Sequence, residues 1–505
     1  MRSSLQATLL AAAAAAAAVP LAAVAQVPPA AQESSSFNSS SFALTQAQIE
    51  AASLTAAQVA DLTTIMNFDR SQLANGGPRE DAFYDLPDAA DPSRAARAGA
   101  LLKVQPFTDT APFVVPPNTA LSRILYTTKN LNGTVLPASA FVLWPFQPRP
   151  LAARRTSNGS AAVAASAPTV LWTHGTSGFF APAAPSSHRE LWYGDAAPFT
   201  LALAGYAVVA PDYAGLGVSR SWGNSSAPIP HEYLASPAGG QDALYALRAA
   251  RQAFEGKLSD DFVVMGHSQG GGVAWGVSEL LASSKDEFAD LEAGYLGAIA
   301  GSPTTDLFNG TPELILPWIG MILDTIFPSF KLSAWLTPLG IARTELLKQI
   351  EGSIAASQHL FLTGEVVLQE DWRDTWYVSA YAGLANAGRK AFRGPLLVLQ
   401  GTEDGFIPYG NTTATVRDTC AAEPGNDLEY LVVNGTTHVP TLDATRHIWL
   451  GWIQDRFESV PLTKKGCVRT DLTSFLPLEQ YKSTGNSFPL WAGATEYSYE
   501  VLLGL

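Results

Sequence analysis

Charged residues are scarce in this chain of 505 residues, since Asp, Glu, Lys and Arg together make up only 15% of it. Basic residues are the fewer of the two kinds, 31 against 45 acidic ones, so the formal net charge is −14. Nucleic acid is bound by clustered Lys and Arg, and this balance argues against a nucleic-acid partner. The 47% of hydrophobic residues is ample for a packed core.

Several motifs of cofactor-dependent proteins are missing. The sequence has no H-E-x-x-H and no cysteine-rich cluster, so a zinc site is unsupported, and we expect neither metal nor cofactor. It has no Walker-type loop, and the run GLGVSR at 215–220 lacks the final Gly or Ala of a dinucleotide-binding motif. No repeat of fixed period is present, which argues against a solenoid or a propeller.

Only two cysteines occur, Cys420 and Cys467. In an oxidising compartment two such residues predict one disulfide bond, and the alternative is a pair of buried free thiols.

The first 25 residues have the three parts of a secretory signal peptide. Arg2 gives a positive start, Leu9–Leu21 is apolar and rich in alanine, and Ala23-Val24-Ala25 forms a small-x-small cleavage site before Gln26. A membrane anchor is the alternative, but the apolar run is short, and no later stretch has eighteen uninterrupted apolar residues. We therefore predict a secreted protein with no membrane span.

Asn-x-Ser/Thr sequons support the same compartment, because seven of them behind a signal peptide predict a glycosylated secreted protein. They lie at Asn38, Asn132, Asn158, Asn224, Asn309, Asn411 and Asn434.

The segment 26–78 is rich in Ala, Ser and Gln, which predicts a flexible lead or a propeptide with a weak helix near Leu44–Ile65. Farther on, short β-branched runs bounded by Gly, Pro or Asp alternate with helical segments such as Gly240–Phe254 and Gly270–Ala282, and Asn132-Gly133 marks a hairpin turn. The predicted strands are Ser122–Thr128, Thr134–Pro145, Thr169–Thr173, Tyr206–Ala210, Phe262–Met265, Leu296–Ala300, Pro395–Gln400 and Leu428–Val433. Such alternation predicts an α/β fold with a mostly parallel sheet covered by helices on both faces.

A helical, apolar stretch at 304–390 interrupts this alternation, and we predict that it is a cap inserted between core segments 79–303 and 391–460. Residues 461–505 are predicted to be a C-terminal extension. Trp318, Phe327 and Phe330 make the cap denser in large apolar side chains than one helix face needs, which predicts a pocket for an apolar part of the substrate. The alternative is that these residues only hold the cap helices together.

The motif that carries chemistry is Gly266-His267-Ser268-Gln269-Gly270, between a predicted strand and a predicted helix. A G-x-S-x-G in a strand-turn-helix context lifts the serine onto a sharp turn, and the helix N-terminus favours developing negative charge. Ser268 is therefore the predicted nucleophile.

A serine nucleophile needs a histidine base and an acid that orients it, which follow the serine in chain order in enzymes with this motif. Of the later histidines, His359 lies in the predicted cap and His447 in a helical pattern, whereas His438 follows a strand and is the predicted base. Asp404, after the preceding strand, is the predicted acid, with Glu403 as the alternative.

The oxyanion of an acyl-transfer intermediate needs two backbone N–H donors. Gln269, which follows the nucleophile, supplies the first in this prediction. Gly175 or Thr176, in the loop after strand Thr169–Thr173, supplies the second. His174 in the same loop is predicted to shape the loop and not to act as a base.

These motifs resemble those of the secretory lipase family of fungi and actinobacteria (lipase A-like), a branch of the α/β-hydrolases. The resemblance spans roughly 80 to 455 and rests on Pro78–Pro87, Leu121–Pro145, Leu171–Gly178 (LWTHGTSG), Ala204–Gly217 (AGYAVVAPDYAGLG), Asp242–Gln252 and Val264–Gly270. It implies an α/β-hydrolase fold with a helical cap, a triad of Ser268, Asp404 and His438, no metal cofactor, and hydrolysis of esters, often acylglycerols. The sequences of the cap and of the tail after Val460 lie outside the matching stretches, so the resemblance does not extend to substrate choice.

The leading prediction is a secreted carboxylic ester hydrolase, either a lipase or a carboxylesterase, acting on small-molecule or lipid esters with transient contact to a lipid interface. A serine peptidase of the prolyl type uses the same fold and triad, but no acidic pair for a peptide amino terminus is evident. A non-catalytic binding protein on this fold is the third alternative, and such proteins usually lack part of the triad.

Overall fold

The computed structural model describes residues 42–87, 95–151, 166–222, 228–284 and 286–481. The predicted signal peptide and the sequons at Asn38, Asn158 and Asn224 lie outside these residues. Within them, no helix combines the length and hydropathy needed to cross a membrane.

One sheet of ten strands forms the centre of the described chain. The strands are β1 (Leu101–Gln105), β2 (Ala120–Lys129), β3 (Val135–Trp144), β4 (Ala167–Thr173), β5 (Ala207–Pro211), β6 (Leu258–His267), β7 (Tyr295–Gly301), β8 (Leu396–Gly401), β9 (Leu428–Val433) and β10 (Cys467–Leu472). Their spatial order is β1-β2-β3-β5-β4-β6-β7-β8-β9-β10. The first three pairings, up to β3 with β5, are antiparallel, and all pairings from β5 to β10 are parallel. The predicted mostly parallel sheet is confirmed.

The α-helices connect and cover these strands. They are α1 (Gln46–Ala51), α2 (Ala56–Ser71), α3 (Pro198–Leu203), α4 (Ser236–Ala253), α5 (Gln269–Ser283), α6 (Ala289–Glu292), α7 (Leu316–Ile326), α8 (Pro338–Ile350), α9 (Ile354–Phe361), α10 (Trp376–Ala385), α11 (Tyr409–Ala422), α12 (Pro440–Ala444) and α13 (Arg446–Phe457).

The central parallel strands, β4 to β9, are mostly apolar because both faces of the sheet are buried there. Val264 of β6 points into a core that contains Trp275 of α5. Its neighbours Val263 and Met265 point into a second core, which contains Trp449 of α13. Since side chains alternate between the faces of a strand, a strand covered on both sides shows a continuous apolar run in place of an alternating one.

Helices α7 to α10 lie between β7 and β8 and share a third core with the N-terminal helices. Leu62 and Ile65 of α2 are buried there against this inserted segment. Thr45 and Thr55 begin α1 and α2 with capping boxes that use Gln48 and Gln58. Caps and a buried apolar face fix two helices in the region where a helix was predicted near Leu44–Ile65, so residues 42–78 are packed on the inserted segment and do not form a flexible lead.

The two edge strands, β1 and β10, were not predicted from the sequence. β1 is only partly buried along its length. β10 alternates between exposed and partly exposed residues, so it has no fully buried apolar run. β10 nevertheless pairs in parallel with β9 over its whole length, which places part of the predicted C-terminal extension in the central sheet.

The predicted disulfide is present and joins Cys420, near the end of α11, to Cys467, the first residue of β10. The two Cα atoms are 5.8 Å apart across 47 residues of chain. The bond ties the edge strand to a helix that packs on β8.

Replacing both cysteines by alanine is expected to lower the free energy of unfolding by up to about 4 kcal/mol, because the bond restricts a long loop in the unfolded chain. Urea denaturation followed by circular dichroism measures the change. A reducing agent should lower the stability of the unmodified protein by a similar amount and leave the double variant unaffected. Equal stability of the two proteins without reductant would contradict the prediction.

Candidate active site

Ser268 sits on the turn between β6 and α5 in a strained conformation, with φ of 59° and ψ of −121°. An L-residue rarely adopts this backbone geometry, and such strain concentrates at functional sites. A Cβ atom on Gly266 would lie 2.1 Å from the Gly270 oxygen, and one on Gly270 would lie 2.0 Å from the Thr173 oxygen. The two glycines of the motif are therefore required for a turn this tight.

Asp404 and His438 meet at the carboxyl ends of β8 and β9. His438 Nδ1 is 2.8 Å from Asp404 Oδ2. The other carboxylate oxygen, Oδ1, accepts the backbone N–H groups of Phe406 at 3.0 Å and Ile407 at 2.9 Å. These bonds hold the carboxylate in one orientation toward the imidazole.

The electrostatics of this pair keep Asp404 ionised. Burial alone would raise the pKa of Asp404, but the charge of His438 and the hydrogen bonds from His438 and the Ile407 N–H lower it to about 2. A carboxylate that remains charged at neutral pH accepts a hydrogen bond from the Nδ1–H group of the histidine. The unprotonated nitrogen, which acts as the base, is then Nε2. Glu403, the alternative acid, is exposed to solvent.

Ser268 and His438 line one cavity with a volume of about 130 Å³. Much of the remaining wall is apolar, with Leu314, Ile315 and Ile354 contributed by the inserted segment. A cavity of about 150 Å³ holds a molecule the size of benzene, so the space beside the serine suits a short apolar group.

The predicted oxyanion donors take different positions. Gln269 is the first residue of α5, where the backbone N–H has no partner within the helix. Thr176 lines the cavity, and its hydroxyl is 2.8 Å from that of Tyr233. Gly175 is not part of this cavity wall. The position that a Cβ would take on Gly175 is 2.2 Å from the Tyr193 hydroxyl, so Gly175 makes room for that tyrosine.

Other histidines lie close by without facing the cavity. Burial lowers the pKa of His174 to about 4 and that of His231 to about 3, so both are neutral near pH 7. His174 contacts the backbone oxygens of Gly175 and Asp212 at 2.8 and 3.2 Å. Its surroundings fit the predicted role of shaping the loop.

Three supporting residues were not found from the sequence. Gln400 donates to Asp404 Oδ2 at 3.1 Å. Tyr193 places its hydroxyl 2.7 Å from Nδ1 of His267, and Nε2 of His267 is 3.2 Å from the backbone oxygen of His438. His267 lies inside the serine motif, so its position could have indicated a supporting role. Tyr193 lies far away in the chain, and no sequence pattern indicated its role.

The predicted substrate-binding residues Trp318, Phe327 and Phe330 do not line the cavity that contains Ser268. Trp318 is fully buried, with its ring centroid 5.2 Å from that of Tyr233, and Phe330 packs against Tyr377 at 5.0 Å. Their packing agrees with the alternative interpretation, in which these side chains hold the inserted helices together, and their contact with substrate stays a prediction.

The burial of Asn411 argues against the predicted glycosylation of its sequon. Its side chain is buried, donates to the Asn309 backbone oxygen at 2.7 Å and accepts from the Asn309 amide at 2.8 Å. A glycan on this nitrogen would compete with the first bond and would extend into the cavity that contains Ser268, because Asn411 also lines that cavity. Asn132 and Asn309 are exposed and Asn434 is partly exposed, and these three remain predictions.

Comparison with solved structures shows that other proteins have the same fold. Lipase A from Candida antarctica is 16% identical and superposes with a TM-score of 0.59 over 79% of this chain and 90% of that one. The rice cell wall degrading esterase LipA from Xanthomonas oryzae is 19% identical, with a TM-score of 0.52 over 72% of this chain and 97% of that one. A putative hydrolase from Legionella pneumophila, 15% identical, has a TM-score of 0.51 over 72% and 100% of the two chains.

Among curated proteins, no sequence matches the chain significantly. The sequence profile of the alpha/beta hydrolase family, in contrast, matches residues 170–446, a span that contains Ser268, Asp404 and His438. This match covers more than half of the chain and agrees with the strand order of the sheet. The chain belongs to the alpha/beta hydrolase family.

Proposed function

We propose that the protein is a secreted carboxylic ester hydrolase, a lipase or a carboxylesterase, with Ser268 as nucleophile, His438 as base and Asp404 as orienting acid. The observation that carries the proposal is the 2.8 Å contact between Asp404 and His438 beside a cavity that also contains Ser268. The resemblance to secretory lipases and the shared fold with a lipase and an esterase support it.

In the first half of the reaction, Ser268 Oγ attacks the ester carbonyl carbon while His438 Nε2 takes the hydroxyl proton. The carbonyl oxygen becomes an oxyanion and accepts the N–H groups of Gln269 and Thr176. The bond to the alcohol then breaks, and His438 returns the proton to the leaving oxygen. An acyl ester on Ser268 and a free alcohol result.

In the second half, His438 takes a proton from water, and the resulting hydroxide oxygen attacks the acyl carbon. The bond to Ser268 breaks, the serine oxygen regains the proton, and a carboxylic acid leaves. Asp404, ionised throughout because its pKa is about 2, stabilises the imidazolium in both halves.

The apolar cavity implies a preference for short to medium acyl chains. Each buried methylene contributes up to about 0.8 kcal/mol, so kcat/KM for p-nitrophenyl esters is expected to rise roughly tenfold from acetate to butyrate. It should level off toward octanoate, because the cavity is small. Leu314→Trp is expected to fill the cavity and abolish the rise while sparing acetate.

A series of p-nitrophenyl esters, measured beside a proline p-nitroanilide, checks both the chain-length preference and the reaction class. Trp335→Phe is the matched control, since Trp335 is fully buried in the core of the inserted segment and is not part of the cavity wall. Faster turnover of the anilide would favour the prolyl peptidase, and no turnover of either substrate would favour a binding protein. If activity is highest on acetate, the assignment of the cavity to the acyl chain is refuted, but the esterase proposal is not.

Secretion rests on the signal-peptide pattern before Gln26 and is consistent with the disulfide. N-terminal sequencing of protein from the culture medium tests it, and a chain that still begins at Met1 would contradict it.

A further inference from the structure

Three consecutive residues before α3 have a left-handed backbone. Leu191, Trp192 and Tyr193 have φ angles of 54°, 46° and 62°, and none of them is glycine. L-residues adopt such angles singly and rarely in a row, because the Cβ atom crowds the following carbonyl oxygen. All three side chains are buried. Strain of this kind persists only where the surrounding structure holds it, so the contacts of this turn indicate what it does.

The left-handed turn contacts two parts of the candidate active site, and Trp192 and Tyr193 line the cavity that contains Ser268. The indole N–H group of Trp192 donates to the backbone oxygen of Gly175, in the loop after β4, at 3.2 Å. The hydroxyl oxygen of Tyr193 lies 2.7 Å from Nδ1 of His267, the residue before the nucleophile. One strained turn therefore reaches both the loop of the predicted oxyanion donors and the segment of the nucleophile.

The hydrogen bonds of His267 determine its tautomer. Its Nε2 is 3.2 Å from the backbone oxygen of His438, which can only accept, so Nε2 carries a proton. Burial lowers the pKa of His267 well below its usual value, and the ring is therefore neutral. A neutral imidazole has one N–H group, so Nδ1 is the acceptor and the Tyr193 hydroxyl donates to it. Two hydrogen bonds in series thus join the Tyr193 hydroxyl to the main chain of His438.

We propose that Tyr193 is a positioning residue for the catalytic base. Its hydroxyl fixes the tautomer of His267, and the Nε2–H group of His267 then holds the backbone of His438 beside the nucleophile. The imidazole rings of the two histidines are also in contact, with centroids 4.4 Å apart. The inference rests on the proposed function, because it assigns a role in the reaction of the same triad.

Loss of the Tyr193 hydroxyl removes the donor to Nδ1 of a buried ring, so the ring is free to carry its proton on Nδ1. An unprotonated Nε2 would then face the backbone oxygen of His438, and the lone pairs of the two atoms repel each other. The base would move away from Ser268 as a result. Displacement of a catalytic group by about 1 Å lowers rates by up to about 10²-fold.

Tyr193→Phe keeps the buried ring and removes only the hydroxyl. We expect it to lower kcat on p-nitrophenyl butyrate about 10- to 100-fold and to leave KM within about twofold, because the base moves and the cavity does not. Labelling of Ser268 by a fluorophosphonate probe should slow to a similar extent. Tyr126→Phe is the matched control and should keep the unmodified kcat, since the Tyr126 hydroxyl is also buried but donates to the Asp242 backbone oxygen, at 2.9 Å, away from the cavity.

His267→Gln separates positioning from packing. Its amide NH₂ group still donates toward the His438 oxygen and has no second tautomer, so we expect it to retain far more of kcat than His267→Leu, which has no donor. In the His267→Gln background, Tyr193→Phe should cost less than about twofold. A purely structural role of the hydroxyl predicts the same loss in both backgrounds.

Nitrogen NMR of protein labelled with ¹⁵N-histidine gives a readout without turnover, because the chain has only seven histidines. The His267 signals, identified by their loss in His267→Gln, should show the proton on Nε2 in the unmodified protein and on Nδ1 in Tyr193→Phe. Circular dichroism verifies that each variant is folded.

An unchanged kcat in Tyr193→Phe, an equal loss in both backgrounds or an unchanged tautomer would each overturn the inference and leave the esterase proposal intact. If the unmodified protein hydrolyses no ester, the esterase proposal itself is refuted. A tautomer change together with slower fluorophosphonate labelling of Tyr193→Phe would still support the positioning role, and the absence of both would refute it as well.

Discussion

Ser268→Ala is expected to lower kcat for ester hydrolysis by about 10⁶-fold, because the alanine has no oxygen to form the acyl-enzyme. The residual rate should be that of water attacking a bound ester beside the oxyanion donors. The folded protein should remain, since Ser268→Ala removes only one hydroxyl oxygen from the cavity wall and leaves the backbone with its φ of 59° unchanged.

Turnover of p-nitrophenyl butyrate and labelling by a fluorophosphonate probe measure the effect. Ser278→Ala provides a matched control on the same helix, because the Ser278 hydroxyl is buried and bonded only to the Trp275 backbone oxygen at 2.6 Å. It should keep both activity and labelling. Labelling that persists in Ser268→Ala would move the nucleophile to another residue.

Asp404→Asn is expected to lower kcat by about 10⁴-fold, the cost of losing the orienting carboxylate in a triad. The reason follows from the geometry. The N–H groups of Phe406 and Ile407 both point at Oδ1, so the oxygen of the asparagine stays there and its NH₂ group faces His438 Nδ1. That nitrogen must then accept a hydrogen bond, which places the proton on Nε2, where the base has to be free.

Glu403→Gln is the matched control for this prediction, since it makes the same chemical change at the exposed neighbouring residue. It should retain kcat within about twofold, as surface substitutions usually do. Steady-state kinetics on p-nitrophenyl butyrate separate the two variants. A larger loss for Glu403→Gln than for Asp404→Asn would assign the acid to residue 403.

The sequence predicted the central strands well because they are buried on both sides, and burial on both sides leaves a run such as Phe262–Met265 that helices and loops rarely match. β10 was not predicted because its side chains are largely exposed and form no apolar run. Hydrogen bonds to β9 and the disulfide determine its position. A helix was predicted in the region of α2, but its packing was not, because its buried face contacts the inserted segment and no local pattern reveals a partner about 300 residues away in the chain.

The candidate triad could be proposed from chain order and strand ends because parallel strands bring their carboxyl ends to one edge of the sheet. The residues that line the cavity beside Ser268 could not be predicted from the sequence. Trp318 and Ile315 are close in sequence and similarly apolar, yet only Ile315 faces the cavity. Hydropathy indicates that a side chain is buried but not which of two apolar spaces receives it, and that depends on how the inserted helices pack.

β10 has a further consequence for the solution behaviour of the protein. Without it, β9 would present a row of free backbone N–H and C=O groups along an apolar strand that includes Leu431 and Val432. Open edges of this kind pair with one another between molecules and start aggregation. Because the disulfide ties β10 to α11, we expect oxidation of Cys420 and Cys467 to protect the sheet against self-association as well as to stabilise the fold.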